Sequence, residues 1–474
     1  MTVRRLLPAA LAALVLALAV PAAASAHAVL LSSTPAEGTS LATSPPSVTL
    51  RFNEGVQLLQ PRDLSVVDRQ GDPVDAGDAR VDPDDVRSVT VDLRPRLPDG
   101  TYTVRYLIVS ADSHVIGGAY VFGVGPGPLG PPYLGGAGRH GPSETSAWAV
   151  SARFLELVGL GGLVGLLAFR LLVWRPVWTA HPAVGGEAAN RMLLWERDGF
   201  WTTFGVLAVA AMLAEGYLLV VKSASALGIG VLSVLQAPAD VTTVLGSTEF
   251  GSLVQARAIL LGVLFGIGAW RFTVETSQRG APTPARPVGP TWVALVMLAL
   301  ALSAMGLVSA QGHASQAPLS RLQIGADLLH LASVSIWIAG LAATAVMFLR
   351  LPRIAAAGAV IAARVLARFS LVAMATVTIA IATGVARSAG ELSDPAQLWD
   401  TAYGRSIVYK LLLLCPIAFL ALHNRKVVTS LRRVAVPTGA TLRLVRRSVA
   451  LELAFAIGLI IVASVLVAQV PGRT

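Results

Sequence analysis

The chain is predicted to fold in two parts, an all-β sandwich followed by an all-α polytopic membrane bundle of about eight transmembrane helices. Three observations predict this. Before residue 126, short runs such as Ser47–Phe52, Ser88–Leu93 and Thr101–Val109 alternate apolar and polar residues between turns rich in Pro, Gly and Asp. Period-two alternation at that spacing is the pattern of sandwich strands. After residue 146 come eight apolar stretches, each close to the roughly 20 residues a helix needs to cross a bilayer. Between the two parts, 127–146 is rich in Gly and Pro and reads as a linker. With 54% hydrophobic and only 14% charged residues over 474, the chain is too apolar for an ordinary soluble protein.

The elements follow in order. Residues 1–26 carry Arg4 and Arg5, an apolar run from Leu6 to Val20, and small residues ending in Ala24-Ser25-Ala26. That is the pattern of a secretory signal peptide. Cleavage after Ala26 makes His27 the first residue of the β-domain, 27–126. The membrane part, 147–470, is expected to cross at 147–170, 200–221, 254–272, 291–311, 323–349, 367–387, 406–423 and 448–469. The Gly-rich segment 224–237 is expected to be re-entrant or interfacial, and Trp148 and Trp201 fit an aromatic belt. Loops after odd-numbered spans hold Arg170, Arg175, Arg191 and Arg197, then Arg271, Arg279 and Arg286, then Arg350, Arg353, Arg364 and Arg368, and a cluster from Arg425 to Arg447. Loops after even-numbered spans hold Asp240, Glu249, Glu391, Asp394 and Asp400. The basic side is cytoplasmic. This places the chain in the bacterial cell (inner) membrane, with the β-domain and the C-terminus extracytoplasmic.

Several classes are excluded. The net charge of +10 sits at the ends of apolar spans, so the lipid bilayer explains it and no nucleic-acid partner is expected. The lone cysteine, Cys415, rules out an intrachain disulfide, a four-cysteine zinc site and CxxC chemistry, and is expected to be a buried, inert thiol. No Gly-rich P-loop followed by Lys-Ser/Thr is present, which argues against ATP-driven pumping.

A processed N-terminal histidine offers a metal both its α-amine and a ring nitrogen. Further along, Asp112 and His114 are two apart, just before the alternating strand Ala119–Val124. In extended chain such residues share a face. His27, Asp112 and His114 together supply an N,N,N,O set close to what Cu(II) prefers. If cleavage falls a residue or two away, His27 is an ordinary surface residue.

Polar residues inside the apolar half are costly in lipid and usually face a bundle interior. His313 follows the fourth span in Ser309-Ala310-Gln311-Gly312-His313-Ala314. In the fifth, Asp327 and His330 are three apart and so on one helical face, where the carboxylate either orients the ring or shares an ion with it. The plain alternatives are a headgroup position for His313 and a structural hydrogen bond between His330 and Asp327. Lys410, Asn424 and Glu452 are candidates for internal charge pairing, and Met297, Met305, Met347 and Met374 read as packing at helical spacing.

Residues 27 to about 126 resemble the CopC family of periplasmic copper-binding domains. The resemblance is carried by His27-Ala28-Val29-Leu30, the Ser33–Gly38 turn, Leu50-Arg51-Phe52-Asn53-Glu54, and Ser110 through Gly118. It implies an immunoglobulin-like sandwich and Cu(II) ligands at His27, Asp112 and His114, with Glu54 a possible accessory metal ligand. Some members also hold Cu(I) in a methionine-rich loop. Here no Met lies between Met1 and Met192, so copper is expected only as Cu(II) in this domain.

Residues 147 to 469 resemble the CopD family of copper-resistance membrane proteins. The motifs are Gly312-His313-Ala314, Asp327-Leu328-Leu329-His330-Leu331 with Trp337 and Gly340-Leu341, Arg368-Phe369-Ser370, Thr383-Gly384, Tyr403-Gly404 with Lys410, and Asn424-Arg425. The resemblance implies copper uptake or homeostasis at the membrane, with His313, Asp327 and His330 as a possible membrane copper path. The alternative is a buffering or delivery protein whose partners are copper-dependent enzymes or periplasmic copper carriers. A terminal-histidine copper site also serves oxidative monooxygenases, but there an open equatorial position is needed that Asp112 fills here. A non-enzymatic role is therefore expected.

Overall fold

The computed structural model describes residues 29–110, 115–134, 145–180, 186–236, 238–277, 290–311, 320–354, 357–431, 439–467 and 469. The N-terminal part is all β. Strands β1 (Leu30–Thr34), β3 (Ser47–Phe52), β7 (Ser88–Asp92) and β6 (Arg80–Val81) form one sheet in the order β1-β3-β7-β6. The second sheet runs β2 (Ser40–Leu41), β9 (Val115–Val124), β8 (Gly100–Ser110), β4 (Val56–Gln57), with β5 (Leu64–Val67) also pairing β8.

Alternation explains the packing. In β3 the residues Val48, Leu50 and Phe52 are buried while their neighbours are not, and the antiparallel register sets Val48 opposite Val91 and Leu50 opposite Val89. From the other sheet, Val66, Val104, Ile108, Tyr120 and Phe122 close on the same core. Tyr102 stacks on Phe122 with ring centroids 5.6 Å apart. The buried Asp75 carboxylate ties the sheet edge by accepting from the N–H of Val66 (2.7 Å) and of Gly77 (2.9 Å). Burial pushes the Tyr120 hydroxyl up to about 12; it donates to the Pro35 carbonyl at 3.1 Å. Phe52→Ala removes a fully buried ring from the middle of this core and is expected to cost about 3–5 kcal/mol. The check is the denaturant midpoint of the sandwich, followed by near-ultraviolet circular dichroism.

The C-terminal part is helical, and eight of its helices are long and apolar enough to cross a membrane. They are α1 (Ala147–Thr179), α2 (Gly186–Leu227), α3 (Glu249–Ser277), α4 (Thr291–Gln311), α5 (Ser320–Ile354), α6 (Gly358–Glu391), α7 (Ala402–Leu431) and α8 (Gly439–Val467). Helix α1 is central. It packs on α2, α4, α5 and α8, and 61% of its apolar window is buried against 11–39% for the other seven. Except for α4, the helices outrun the expected spans, because a hydropathy window sees only the apolar middle and not the polar turns that continue the hydrogen-bonded ladder. The segment 224–237 holds the end of α2 and a short helix, Val231–Val234, and a second short helix, Pro238–Ser247, follows it. Gly228, at φ 64°, ends α2: its N–H reaches the Ser225 carbonyl and the Ile229 N–H reaches that of Ala224, a paired C-terminal lock that needs a left-handed residue.

Two further expectations are corrected. Cys415 is exposed on the outside of the bundle rather than buried. Its helix turns that face away from the packed neighbours, which an apolar run alone does not reveal. Trp201 is 7% exposed and donates its indole N–H to Glu275 at 2.7 Å, so it is a core residue and not a belt residue. Trp148, 46% exposed, does face outward.

Near its far end α1 widens into a π-helical turn, Arg170–Trp174. Pro176 has no N–H to give to the carbonyl four residues back. That carbonyl, on Leu172, accepts instead from Arg368 Nε at 3.0 Å, while Phe369 packs beside Phe169 with ring centroids 6.4 Å apart.

Candidate metal centre

Four expected ligand residues, His27, Asp112, His114 and His313, lie outside the described residues. The strands around the first site are described. Strands β8 and β9 form a long antiparallel hairpin whose register runs from Gly100 opposite Val124 to Val109 opposite Val115, so the connection carrying Asp112 and His114 joins two paired strand ends. At the neighbouring edge, Val29 N–H donates to Asn53 Oδ1 at 2.6 Å and Asn53 N–H to the Val29 carbonyl at 3.1 Å. These bonds fix the chain two residues after His27 beside the Asn53-Glu54 turn, and Val56 opposite Ser110 brings that turn to the end of β8. Among the described residues, no three His, Cys, Asp or Glu side chains come together.

In the bundle, α5 carries Asp327 and His330, but the two do not pair. Asp327 forms an ion pair with Arg387 of α6. His330 points to α6 as well: its Nδ1 lies 2.9 Å from the Ala380 carbonyl and 3.2 Å from Thr383 Oγ1. A carbonyl only accepts, so Nδ1 carries the proton and donates. The Thr383 hydroxyl gives its own proton to the Ile379 carbonyl at 2.7 Å, which leaves an oxygen lone pair towards the ring. The remaining nitrogen, Nε2, therefore holds the lone pair. A ring N–H fixed on a carbonyl with the other nitrogen free is the usual support of a metal-binding histidine. Gly384 makes room for this ring, since an added Cβ would stand 3.2 Å from His330 Cε1, tighter than an ordinary contact. Lys410 of α7, Arg387 and, with opposite sign, Asp327 act on the imidazole electrostatically.

The expectation that the Asp327 carboxylate orients the ring is thus replaced by an interhelical arrangement. Spacing along one helix shows which residues share a face, not which neighbour takes the side chain. Met297, Met305 and Met347 are buried in apolar clusters, as packing residues are.

A second polar centre was not anticipated. Arg257 of α3 is wholly buried, donates Nε to Glu215 Oε2 of α2 (3.0 Å) with Nη2 in ion-pair contact with the same oxygen at 2.9 Å, and donates Nη1 to Gln311 Oε1 of α4. Glu156 of α1 stands 3.8 Å from Arg257 Nη2 and accepts from Arg153 at 2.9 Å. Single charges within long apolar runs were the signal that could have found it.

Comparison with known proteins bears on both parts. Residues 30–125 match the model of the CopC domain, and residues 363–466 match that of copper resistance protein D, CopD. The chain belongs to the CopC–CopD copper-resistance family. It is similar to the copper transport protein CutJ of Bacillus subtilis, 25% identical over 395 residues, which are 82% of this chain and 66% of that protein's own length. Over 99 residues, 21% of this chain, it is 32% identical to Protein YobA of Escherichia coli K12, covering 79% of that protein. Among solved structures, CopC from Methylosinus trichosporium OB3b is 33% identical, with 23% of this chain and all of that chain covered and a TM-score of 0.19. PcoC of Escherichia coli, described as a methionine-rich copper resistance protein, is 30% identical over 21% of this chain and 98% of its own, with a TM-score of 0.17. The CopD match takes in Ala380, Thr383, Gly384, Arg387 and Lys410, while His330 stands on the helix just before it.

Gly384→Leu fills the space beside the imidazole. If His330 is a copper ligand, this is expected to lower copper bound by the bundle roughly 10–100-fold, the usual loss when a histidine ligand's support is removed. Thr383→Val, which keeps the Ala380 carbonyl, is expected to cost less. Copper retained by the purified full chain carrying His114→Ala measures both.

Proposed function

We propose that this chain captures Cu(II) outside the cell membrane and passes copper to its membrane bundle for uptake and copper homeostasis. In this reading residues 1–26 leave as a signal peptide. His27, Asp112 and His114 then hold Cu(II) at one end of the sandwich, with Glu54 close to the same edge. The sandwich and the C-terminus face outward, as the basic loops after odd-numbered spans require. Copper is the cargo, handed first to His313 and then to His330.

The observation that carries the membrane step is the ring of His330, held by the Ala380 carbonyl with Nε2 left as a nitrogen donor. A lone imidazole binds copper weakly enough to release it, as a way-station must. Tethering supports the hand-over, because a bound ion on a linked domain is presented at an effective concentration of roughly millimolar. The resemblance to a copper transport protein across most of the chain favours movement over simple storage.

The test is cellular copper in a host with and without the chain at low external copper. Accumulation is expected to rise with the intact chain and return to the host level with His330→Ala, while Cu(II) binding by the outer domain is unchanged. Unchanged copper in the presence of the intact chain would reassign it to buffering or delivery.

A further inference from the structure

The second polar centre lies at the same depth as His330. Gly161 of α1 faces Ser335 of α5, and Glu156 and His330 each stand five residues earlier on these helices. Glu156 is nine residues into α1, about 14 Å from its start at 1.5 Å per residue.

The four charges of this centre are not equivalent. Glu215 is held by one hydrogen bond and one ion-pair contact from a guanidinium that has no solvent exposure. Glu156 is 2% exposed, and its oxygens differ: Oε2 accepts from Arg153, while Oε1 has no hydrogen-bond donor among the described residues and faces Arg257 Nη2, likewise without a hydrogen-bond partner there, only at ion-pair range, 3.8 Å. The Gln311 amide nitrogen also has no hydrogen-bond partner among the described residues, although its oxygen is held by Arg257. Arg153 is the one member in touch with the surroundings, its side chain 14% exposed and one turn nearer the start of α1.

These facts define a place for a proton. Two arginines and two glutamates are neutral together, so adding a proton would normally bury a positive charge, which is costly in a low-dielectric interior. Here the cost is avoided. When Glu156 Oε1 takes a proton, the Arg153 ion pair dissolves, and the Arg153 guanidinium, still protonated, turns outward to water or headgroups. The Arg257–Glu215 pair stays neutral behind it. We propose that Glu156 is a proton-binding site loaded from the side on which α1 begins, with Arg153 as the counter-charge that leaves when the proton arrives. The charged groups on the elements packed against α1 include Glu215, Glu196 and the buried Lys222 on α2, Asp327 and His330 on α5 and Glu452 on α8, with Arg257 reaching in from α3; of these, Arg257 stands within ion-pair distance of Glu156. A proton site beside the copper path gives copper movement a means of coupling to a proton gradient, and that consequence alone rests on the function proposed above.

Infrared pH-difference spectra of the full chain in nanodiscs test the site without copper. Acidification is expected to produce the carbonyl band of a protonated, buried carboxyl. Glu156→Gln should abolish it, and Arg153→Gln should strengthen it at neutral pH. If Glu156→Gln does not fold, Glu156→Asp should move the band instead. A band that is absent, or that survives these substitutions unmoved, overturns the proposal. In proteoliposomes, copper accumulation is expected to rise several-fold with an acid exterior and to lose that dependence in Glu156→Gln. Loss of the band in the variant with no copper movement under any gradient would sink the transport reading and leave the proton site standing. Copper movement indifferent to the gradient, with no band in the intact chain, would do the reverse.

Discussion

Arg257→Ala is expected to destabilise the helical bundle by about 3–5 kcal/mol, the usual cost of leaving a buried charge without its partner. The guanidinium has no exposure and is shared by Glu215, Gln311 and, at longer range, Glu156, so its removal orphans groups on three other helices. Lysine is not a substitute. It has no planar fork to hydrogen-bond Glu215 and Gln311 from different nitrogens of one rigid group. The double change Arg257→Ala with Glu215→Ala should recover part of the loss, because the uncompensated carboxylate goes with the arginine. Thermal melting of the full chain in detergent, followed by helical circular dichroism, gives the three values. A single alanine that leaves the midpoint unchanged would show that the network holds nothing together.

A one-residue extension ahead of His27 is expected to weaken Cu(II) binding by about 100-fold or more, beyond the roughly 10–100-fold lost when a ligand's support alone is removed. The extension turns the α-amine into an amide and destroys the chelate, yet leaves the imidazole, Asp112 and His114 in place. His27→Ala should have a comparable effect. An ordinary surface histidine would show neither. Competitive Cu(II) titration of the mature protein, with its N-terminus confirmed by sequencing, separates the two cases.

Much of the architecture was legible because its physics is local. The period-two runs became strands β3, β7 and β8, and eight apolar stretches became eight long helices. What sequence reading missed is nonlocal. Asp327 and His330 do share a face of α5, but both partners come from α6, fifty or more residues on, and the one that fixes the ring tautomer is the Ala380 backbone carbonyl. A carbonyl has no letter in a sequence. Thr383-Gly384 stood out only as part of a family motif; the structure supplies the reason, one hydroxyl and one missing Cβ beside the imidazole. Glu156, Glu215 and Arg257 were visible as solitary charges in apolar runs, but nothing in their spacing says that they meet. Trp201 and Cys415 were misread for one shared reason: hydropathy reports depth along a helix and not the direction a side chain takes around it.

The proline-broken turn of α1 has a mechanical consequence. With its own-helix donor lost, the Leu172 carbonyl is fastened to Arg368, so the last turns of the first helix and the first third of the sixth are bolted across their gap. A twist of α1 about its axis must drag α6 with it or break that bolt. The sixth helix also carries Ala380 and Thr383, the seat of the His330 ring. That end of α1 is therefore a crank: turning it there shifts the imidazole's seat some three to four helical turns along the sixth helix.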